Sequence, residues 1–187
     1  MTEANAVGTL EQALAHAEQL LHSDPVQAGE QASEILRVVD GHPLALRLLA
    51  AARTAQGDAA GALEILRPLA RAQPNWAILQ LELGLALGQA GRGEEAIDAL
   101  RQALALKPDL PQAWRALGDH LMAAGDQDAA DAAYANHVRH STSDPRLLAA
   151  AIALVENRIP VAEGLLREHL KEAPTDVAAI RMFAEGA

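Results

Sequence analysis

Apolar and small residues recur along this chain at the same steps every 34 positions. Leu83 and Gly84 belong to one copy of the pattern, and Leu117 and Gly118 occupy the same positions in the next copy. A period of this length is typical of repeats made of two helices joined by a tight turn. Leucine and alanine, which dominate the copies, are strong helix formers. The pattern therefore predicts an all-α chain built from stacked helix–turn–helix units.

Six repeat units follow from this register. Their predicted first residues are Thr9, Pro43, Ala77, Pro111, Pro145 and Val177. Residues 1–8 are then an N-terminal extension, and residues 9–187 form the repeat array. The sixth unit supplies only part of a first helix, whose small and apolar residues are Val177, Ile180, Phe183 and Ala184. We expect the natural protein to continue; a lone capping helix and packing on a second copy are the alternatives.

Each tight turn is predicted where a glycine interrupts the helical pattern. Gly57 and Gly125 suit the left-handed backbone that ends a helix, and Asp58 and Asp126 can cap the helices that follow. The fifth unit is two residues shorter and has Asn157 in this region without a glycine. We therefore expect a shorter turn in the fifth unit.

Two glycines fall inside predicted first helices. Gly84 and Gly118 occupy positions where glycine costs about 1 kcal/mol relative to alanine. Close approach of the paired second helix would compensate for that loss. We expect Leu100 and Tyr134 to fill the space around these glycines.

The fourth unit carries the fullest version of a known repeat signature. Its matching residues are Trp114, Leu117, Gly118, Leu121, Ala130 and Tyr134. The signature and the 34-residue period resemble the tetratricopeptide repeat, and the third unit follows with Gln80 in place of the tryptophan. The resemblance implies a right-handed superhelical solenoid whose first helices line a concave groove. It also implies a non-catalytic scaffold that binds proteins or peptides.

Two longer segments carry a narrower resemblance. The stretches LPQAWRALGDHLMAAGDQDAADAAYANHVRHS and PVAEGLLREHLKEAPTDVAAIRMFAEGA are similar to the N-terminal repeats of bacterial tetratricopeptide–sulfotransferase proteins. In that family, the repeats precede a sulfotransferase domain that uses 3'-phosphoadenosine 5'-phosphosulfate. The alternative function is therefore an auxiliary repeat region of a sulfotransferase whose catalytic domain lies beyond residue 187. No residue of this chain matches the family's phosphosulfate-binding loop.

The composition narrows the classes of partner. The chain has 25 carboxylates against 15 lysines and arginines, and its formal net charge is -10. Nucleic-acid binding needs clustered basic residues, which are missing. No apolar run is long and uninterrupted enough to cross a bilayer, no secretory signal is visible, and there is no cysteine. We expect a cytoplasmic protein that binds neither nucleic acid nor membrane.

Few residues suggest chemistry. The sequence lacks the motifs of phosphate-binding loops, zinc proteases and serine hydrolases. His137 and His140 share a predicted helix face but have no third ligand nearby, which favours an ordinary helix surface over a metal site. Glu94 and Glu95 diverge on a helix and fit its first turn, and Trp114 is expected in the core. We expect no enzyme activity, metal or cofactor on this chain.

The predicted groove combines small or apolar side chains with arginines at intervals. Its candidate residues are Arg47, Ala51, Leu81, Leu85, Arg115, Asp119, Met122, Arg146 and Arg181. Arginine can hold a carboxylate by two parallel hydrogen bonds. The groove is therefore predicted to bind an acidic peptide, from another protein or from the same full-length protein.

Two alternatives to peptide binding remain open, and one kind of ligand is excluded. Its arginines could be solvated and the groove empty, because exposed charges contribute little to binding. The chain could also associate with itself through its open C-terminal end. A chaperone-tail ligand is excluded, because the lysine and asparagine positions of the family's carboxylate clamp hold Ala17, Ala51 and Leu85 here.

Overall fold

The computed structural model describes residues 3–141, 144–176, 179–180 and 182–183, with side chains from residue 10 onwards except that of residue 155. All regular structure in these residues is helical. The helices are α1 (Glu3–Ser23), α2 (Pro25–Val38), α3 (Pro43–Ala55), α4 (Ala59–Ala72), α5 (Ala77–Gln89), α6 (Gly93–Leu106), α7 (Pro111–Ala123), α8 (Gln127–Ser141), α9 (Pro145–Val155) and α10 (Ile159–Glu172). The all-α prediction is confirmed.

The helices divide into two compact units. Unit 1 spans Met1–Leu106 with α1 to α6, and unit 2 spans Lys107–Ala187 with α7 to α10. Inside each unit, consecutive helices pack as pairs, and the second helix of a pair also contacts the first helix of the next pair. Helix α1 begins at Glu3, so most of the expected N-terminal extension is helical. Val177 and Ala184 of the expected sixth unit lie outside the described residues.

The turns inside the pairs share one backbone geometry. Gly57, Gly91 and Gly125 have φ values of 84°, 72° and 83°, and Asn157 takes the same place in the fifth pair with φ 55°. Asparagine is the residue that most often replaces glycine in this left-handed conformation. Asp58 and Asp126 accept hydrogen bonds from backbone N–H groups three residues on, at 2.9 and 3.2 Å. The predicted glycine turns and caps are therefore confirmed.

The shorter turn expected in the fifth pair is wrong. Three residues separate α9 from α10, as they separate α3 from α4. The missing length lies in α9, which has 11 residues where α3, α5 and α7 have 13. Because Asn157 adopts the conformation of the glycines, the turn keeps its length and the first helix takes up the difference.

The interior glycines lie against large side chains of the paired helices, as predicted. A Cβ atom added to Gly84 would fall 2.7 Å from Cγ of Leu100, and one added to Gly118 would fall 2.6 Å from Cε1 of Tyr134. Both distances are shorter than carbon atoms tolerate. The packing of α5 on α6 and of α7 on α8 therefore depends on the missing side chains.

Alanine and leucine form the cores. In unit 1, one cluster joins α1, α2 and α3 around Leu48, and another joins α3 to α6 around Leu66 and Leu79. In unit 2, a cluster around Leu166 includes Ala179 and Met182, which follow α10. Among the described residues, no helix is both long and apolar enough to cross a membrane.

Candidate functional site

An open cavity lies on the first helix pair. It has a volume of about 1150 Å³ and is lined by α2 together with parts of α1 and α3. We call it the α2 cavity; its apolar lining residues are Leu10, Ala13, Val26, Ile35, Val38, Val39 and Leu49. Val26 is 54% exposed and Val38 is 84% exposed. Large apolar side chains at such exposure, arranged around a concave surface, are typical of a contact site for another molecule.

Polar side chains surround the α2 cavity. Glu30 and Glu34 lie one turn apart on α2, and Arg37 forms an ion pair with Glu34. The guanidinium of Arg53 donates to the carbonyl oxygen of Gly61 at 3.2 Å. An apolar floor with a charged border is the usual composition of an interface.

A buried ion network joins three first helices of unit 1. Arg47 on α3 donates from Nη1 to Oε1 of Glu82 on α5 at 2.6 Å, and from Nη2 to Glu18 on α1. The Arg47 side chain is only 7% exposed, and its guanidinium lies 5.9 Å from the ring centre of Trp76. The network thus fixes α1 and α5 to the helix between them.

The charges of this network are only partly balanced. Burial raises the pKa of Glu82 to about 7, and the nearby positive charge of Arg47 acts in the opposite direction. Oε2 of Glu82 and Nε of Arg47 are buried and form no hydrogen bond with the described residues. Arg47 therefore compensates only part of the cost of burying the Glu82 carboxyl group.

Arg47 does not have the environment expected of a groove arginine. The sequence predicts that it faces a partner's carboxylate, yet its guanidinium already binds two carboxylates of its own chain. Its side chain is desolvated, so the solvated alternative does not describe it either. Of its expected neighbours, Leu81 is buried, and Ala51 and Leu85 are half-buried. This part of the predicted groove mainly contributes to the packing of unit 1.

The predicted groove residues of unit 2 are more accessible. Arg115 is exposed and Met122 is 40% exposed, both on α7. Asp119 accepts a hydrogen bond from the Tyr134 hydroxyl at 2.9 Å. Arg146 donates to Oε2 of Glu172 at 2.7 Å. Asp119 and Arg146 are thus engaged within the chain although they remain partly accessible, and Arg115 and Met122 are the other accessible members of the set.

Arg181 completes the predicted set but lies outside the described residues. It therefore stays a prediction. The C-terminal residues that are described, Met182 and Phe183, pack against the core cluster of unit 2. Phe183 also receives the guanidinium of Arg167, 5.5 Å from its ring centre.

A buried histidine in unit 2 lies between two capping carboxylates. Nε2 of His169 is 2.9 Å from Oδ2 of Asp176, and Nδ1 is 3.2 Å from Oδ2 of Asp144. Asp144 also accepts the backbone N–H of Arg146, which holds the pKa of that carboxyl group below its usual value. Asp176 accepts the backbone N–H of Ala179 at 3.2 Å. The histidine thus joins the start of α9 to the segment that follows α10, and it does not line the α2 cavity.

Comparison with known proteins identifies the helix pairs. Residues 84–125 match the family model of the TPR repeat. The stretch from the middle of α5 to the turn after α7 therefore matches the tetratricopeptide repeat by sequence. No curated protein matches this chain by sequence.

Several solved structures have the same fold. A thermophilic TPR protein of Thermus thermophilus is 20% identical, with a TM-score of 0.67 over 95% of this chain and 98% of the other. MamA (41-end) of Desulfovibrio magneticus RS-1 is 21% identical, with a TM-score of 0.62 over 73% of this chain and 77% of the other. An O-GlcNAc transferase mutant of Thermobaculum terrenum is 26% identical, with a TM-score of 0.67 over 74% of this chain but only 27% of that chain.

The tetratricopeptide fold accounts for the histidines and aromatic residues singled out in the sequence. Nδ1 of His137 lies 2.8 Å from the carbonyl oxygen of Pro111, whereas His140 stacks on Trp114 with a ring-centre distance of 6.5 Å. The sequence predicts Trp114 in the core, but it is half-buried, and its indole N–H donates to the carbonyl oxygen of Pro108 at 2.8 Å. Among the residues with described side chains, no three potential ligands cluster as a metal site would require.

The first helix pair departs from the repeat pattern and has its own contact between helices. His16 stands where a small residue is usual, and its Nδ1 is 2.8 Å from Oε1 of Gln31, which links α1 to α2. Sequence reasoning missed the α2 cavity itself, because it projected only first helices onto the expected groove. The adjacent apolar residues Val38 and Val39 at the end of a second helix were the available signal.

Proposed function

We propose that this chain is a non-catalytic protein-interaction module whose α2 cavity holds a segment of a partner protein. The observation that carries the proposal is the exposure of Val26 and Val38 along one open cavity of a tetratricopeptide fold. Covering such residues is favourable, since each buried apolar side chain contributes about 1.5–3 kcal/mol.

The dimensions of the cavity suit a peptide segment. Its volume of about 1150 Å³ exceeds the usual range of small-molecule pockets, which is roughly 300–1,000 Å³. The lining follows α2 from residue 26 to residue 38, a distance of about 18 Å at 1.5 Å per residue. A partner helix of about three turns would cover this length.

The polar groups around the cavity support binding over catalysis. The Ser33 hydroxyl donates to the carbonyl oxygen of Gly29 at 2.8 Å, so its hydrogen already has an acceptor within the helix. Glu34 is engaged by Arg37. A nucleophile needs a base within hydrogen-bond distance, and Ser33 has none among its described contacts.

A peptide selection tests the proposal. Peptides of about 15 residues would be selected against the chain, and amide shifts would locate their binding site. We expect the shifts to concentrate on α1 to α3, and Val26→Asn with Val38→Asn to weaken binding about tenfold, because about 1.4 kcal/mol of apolar contact is lost. Val161→Asn is the control, since Val161 is a similarly exposed valine, at 45%, on α10 of unit 2. Shifts confined to Arg115 and Met122 would contradict the proposal and favour the predicted arginine groove.

The likeness to part of an O-GlcNAc transferase favours a second candidate. In this second candidate function, the repeats of the present chain are an accessory region of a longer transferase. The sulfotransferase that the sequence resemblance suggests would be a transferase of this kind. The mass of the natural gene product tests it. A product of this chain's own mass, 19.7 kDa, would contradict the accessory role, and a longer product with transferase activity would support it.

A further inference from the structure

The negative charge of the chain is concentrated in its first 42 residues, which include helix α2. Residues 1–42 contain seven carboxylates and a single arginine, Arg37. Residues 43–76, which form the next repeat, contain two carboxylates and four arginines. More than half of the formal net charge of -10 therefore belongs to the first 42 residues, which include the helix pair on which the cavity lies.

The border of the cavity carries two glutamates and two arginines, but only one of these glutamates forms an ion pair with the described residues. Glu30 and Glu34 are four residues apart on α2, a spacing at which like charges repel. Arg37 neutralises Glu34, but Glu30 has no cationic partner among the described residues. Arg53, the other cation of the lining, is bound to the carbonyl oxygen of Gly61. A positive charge supplied from outside would relieve the repulsion at Glu30.

We propose that the segment held by the α2 cavity is a basic amphipathic helix. This inference rests on the proposed function and adds the chemistry of the partner. The apolar face of the helix would cover Val26 and Val38, and its lysines or arginines would meet Glu30 and Glu34. Opposite charge also raises the rate at which such a partner finds the surface.

The charge of the chain argues against the other occupants. Two copies with a formal net charge of -10 each repel one another, which disfavours a dimer across this surface. The acidic peptide predicted for the arginine groove would meet the same repulsion here. A basic partner replaces repulsion by attraction while covering the same apolar residues.

Two synthetic helices of about 14 residues test the inference. They share one leucine-rich face, and their polar faces carry lysine in one peptide and glutamate in the other. Each is titrated into the full chain by calorimetry at about 50 mM and about 300 mM salt. We expect the lysine peptide to bind at least about tenfold more tightly, and its affinity to fall with salt, because exposed charges are screened.

Charge reversal locates the effect. Glu30→Lys with Glu34→Lys is expected to weaken the lysine peptide about tenfold or more and to strengthen the glutamate peptide. The matched control is Glu94→Lys with Asp98→Lys, an exposed pair at the same spacing on α6, which is expected to change binding less than about twofold. Circular dichroism of both variants checks that the helices remain folded.

Three results would overturn the inference in distinguishable ways. Tighter binding of the glutamate peptide, with loss in Val38→Asn, would reject the basic partner and keep the cavity as a binding site. Equal weakening by both charge reversals, with no effect of Val38→Asn, would show general attraction to an acidic protein and reject the proposed site as well. Light scattering that shows a dimer sensitive to Val38→Asn would identify a second copy as the occupant.

Discussion

Arg47 in unit 1 and His169 in unit 2 are both buried between two carboxylates, but those carboxylates differ in what else they bind. Glu82 is itself buried, and one of its oxygens has no partner among the described residues. Asp144 accepts the backbone N–H of Arg146 and Asp176 accepts that of Ala179, and both aspartates keep part of their surface in water. Arg47 is therefore the main compensation for the buried carboxylate of Glu82. His169, in contrast, joins two carboxylates that are already stabilised by backbone N–H groups and by water.

The comparison indicates that the burial of a polar side chain does not by itself determine how much stability is lost when that side chain is replaced. A lost partner is costly when the remaining charge stays desolvated, and it matters less when the remaining groups have hydrogen bonds and access to water. On this argument, the stability of unit 1 depends more strongly on Arg47 than the stability of unit 2 depends on His169.

Replacement of Arg47 is expected to have the largest effect. Arg47→Met keeps the apolar stem but leaves Glu82 buried without a cation, so we expect the free energy of unfolding to fall by about 3–5 kcal/mol at pH 8. The loss should be smaller at pH 5, where Glu82 becomes protonated. Urea denaturation at both pH values measures it. Arg101→Met, at an exposed position on α6, is the control and should change stability by less than about 0.5 kcal/mol.

Overpacking tests whether the helix pairs themselves are alike in the two units. Gly84→Leu in unit 1 and Gly118→Leu in unit 2 both place atoms where Leu100 or Tyr134 already lies, so each should cost about 1–3 kcal/mol or more. Gly164→Leu is the control, because a Cβ atom added there meets no atom of the described residues within 4 Å. Unchanged thermal stability of Gly118→Leu would contradict the close packing of α7 on α8.

The raised pKa of Glu82 gives unit 1 a distinctive pH dependence. Between pH 4.5 and about 7 the folded chain holds a proton on Glu82 that the unfolded chain has released. The contribution of Glu82 to stability is therefore greatest below pH 4.5 and decreases as the pH rises to about 7, by at most about 1.4 kcal/mol per pH unit. Glu82→Gln removes this slope while keeping a hydrogen-bond acceptor for Arg47.

The stability of wild type and Glu82→Gln would be measured across this pH range, and their difference taken at each pH. The difference cancels the titration of the other carboxylates. A constant difference between pH 4.5 and 8 would mean that Glu82 is ionised throughout, and the account of the buried network would then be wrong.

Replacement of His169 is expected to have the smallest effect. His169→Leu keeps a similar volume and leaves both capping aspartates with their backbone donors, so we expect a loss of about 1 kcal/mol. Denaturant unfolding measures the change, with Arg47→Met measured under the same conditions. A loss from His169→Leu as large as that from Arg47→Met would remove the distinction between the two units.

The repeat period predicted the parts of the fold that depend on short-range spacing. Helix pairs, glycine turns and the contacts of Gly84 and Gly118 all follow from positions within one unit, where helix geometry limits the possible neighbours. The length of α9 did not follow, because asparagine can occupy the left-handed turn position as glycine does.

The candidate site was less predictable, because its contacts join residues far apart in the chain. Arg47 binds Glu82, 35 positions later, and Glu18, 29 positions earlier. A charged residue inside the apolar stretch from Leu44 to Ala52 was a signal of a buried partner, but it does not say which carboxylate is near. The α2 cavity is lined mainly by the second helix of a pair, whereas the sequence analysis assigned groove residues on first helices only. The uneven charge of the first 42 residues could have directed attention to it.

The contact between Gly118 and Tyr134 also provides an NMR signal that is sensitive to the packing of α7 on α8. A Cβ at Gly118 would lie 2.6 Å from the aromatic ring, so the α-hydrogen that points in that direction lies directly against it. The ring current of the tyrosine displaces the resonance of this hydrogen from the normal glycine range. Its return to that range reports the separation of α8 from α7 in unlabelled protein, at the resolution of a single atom.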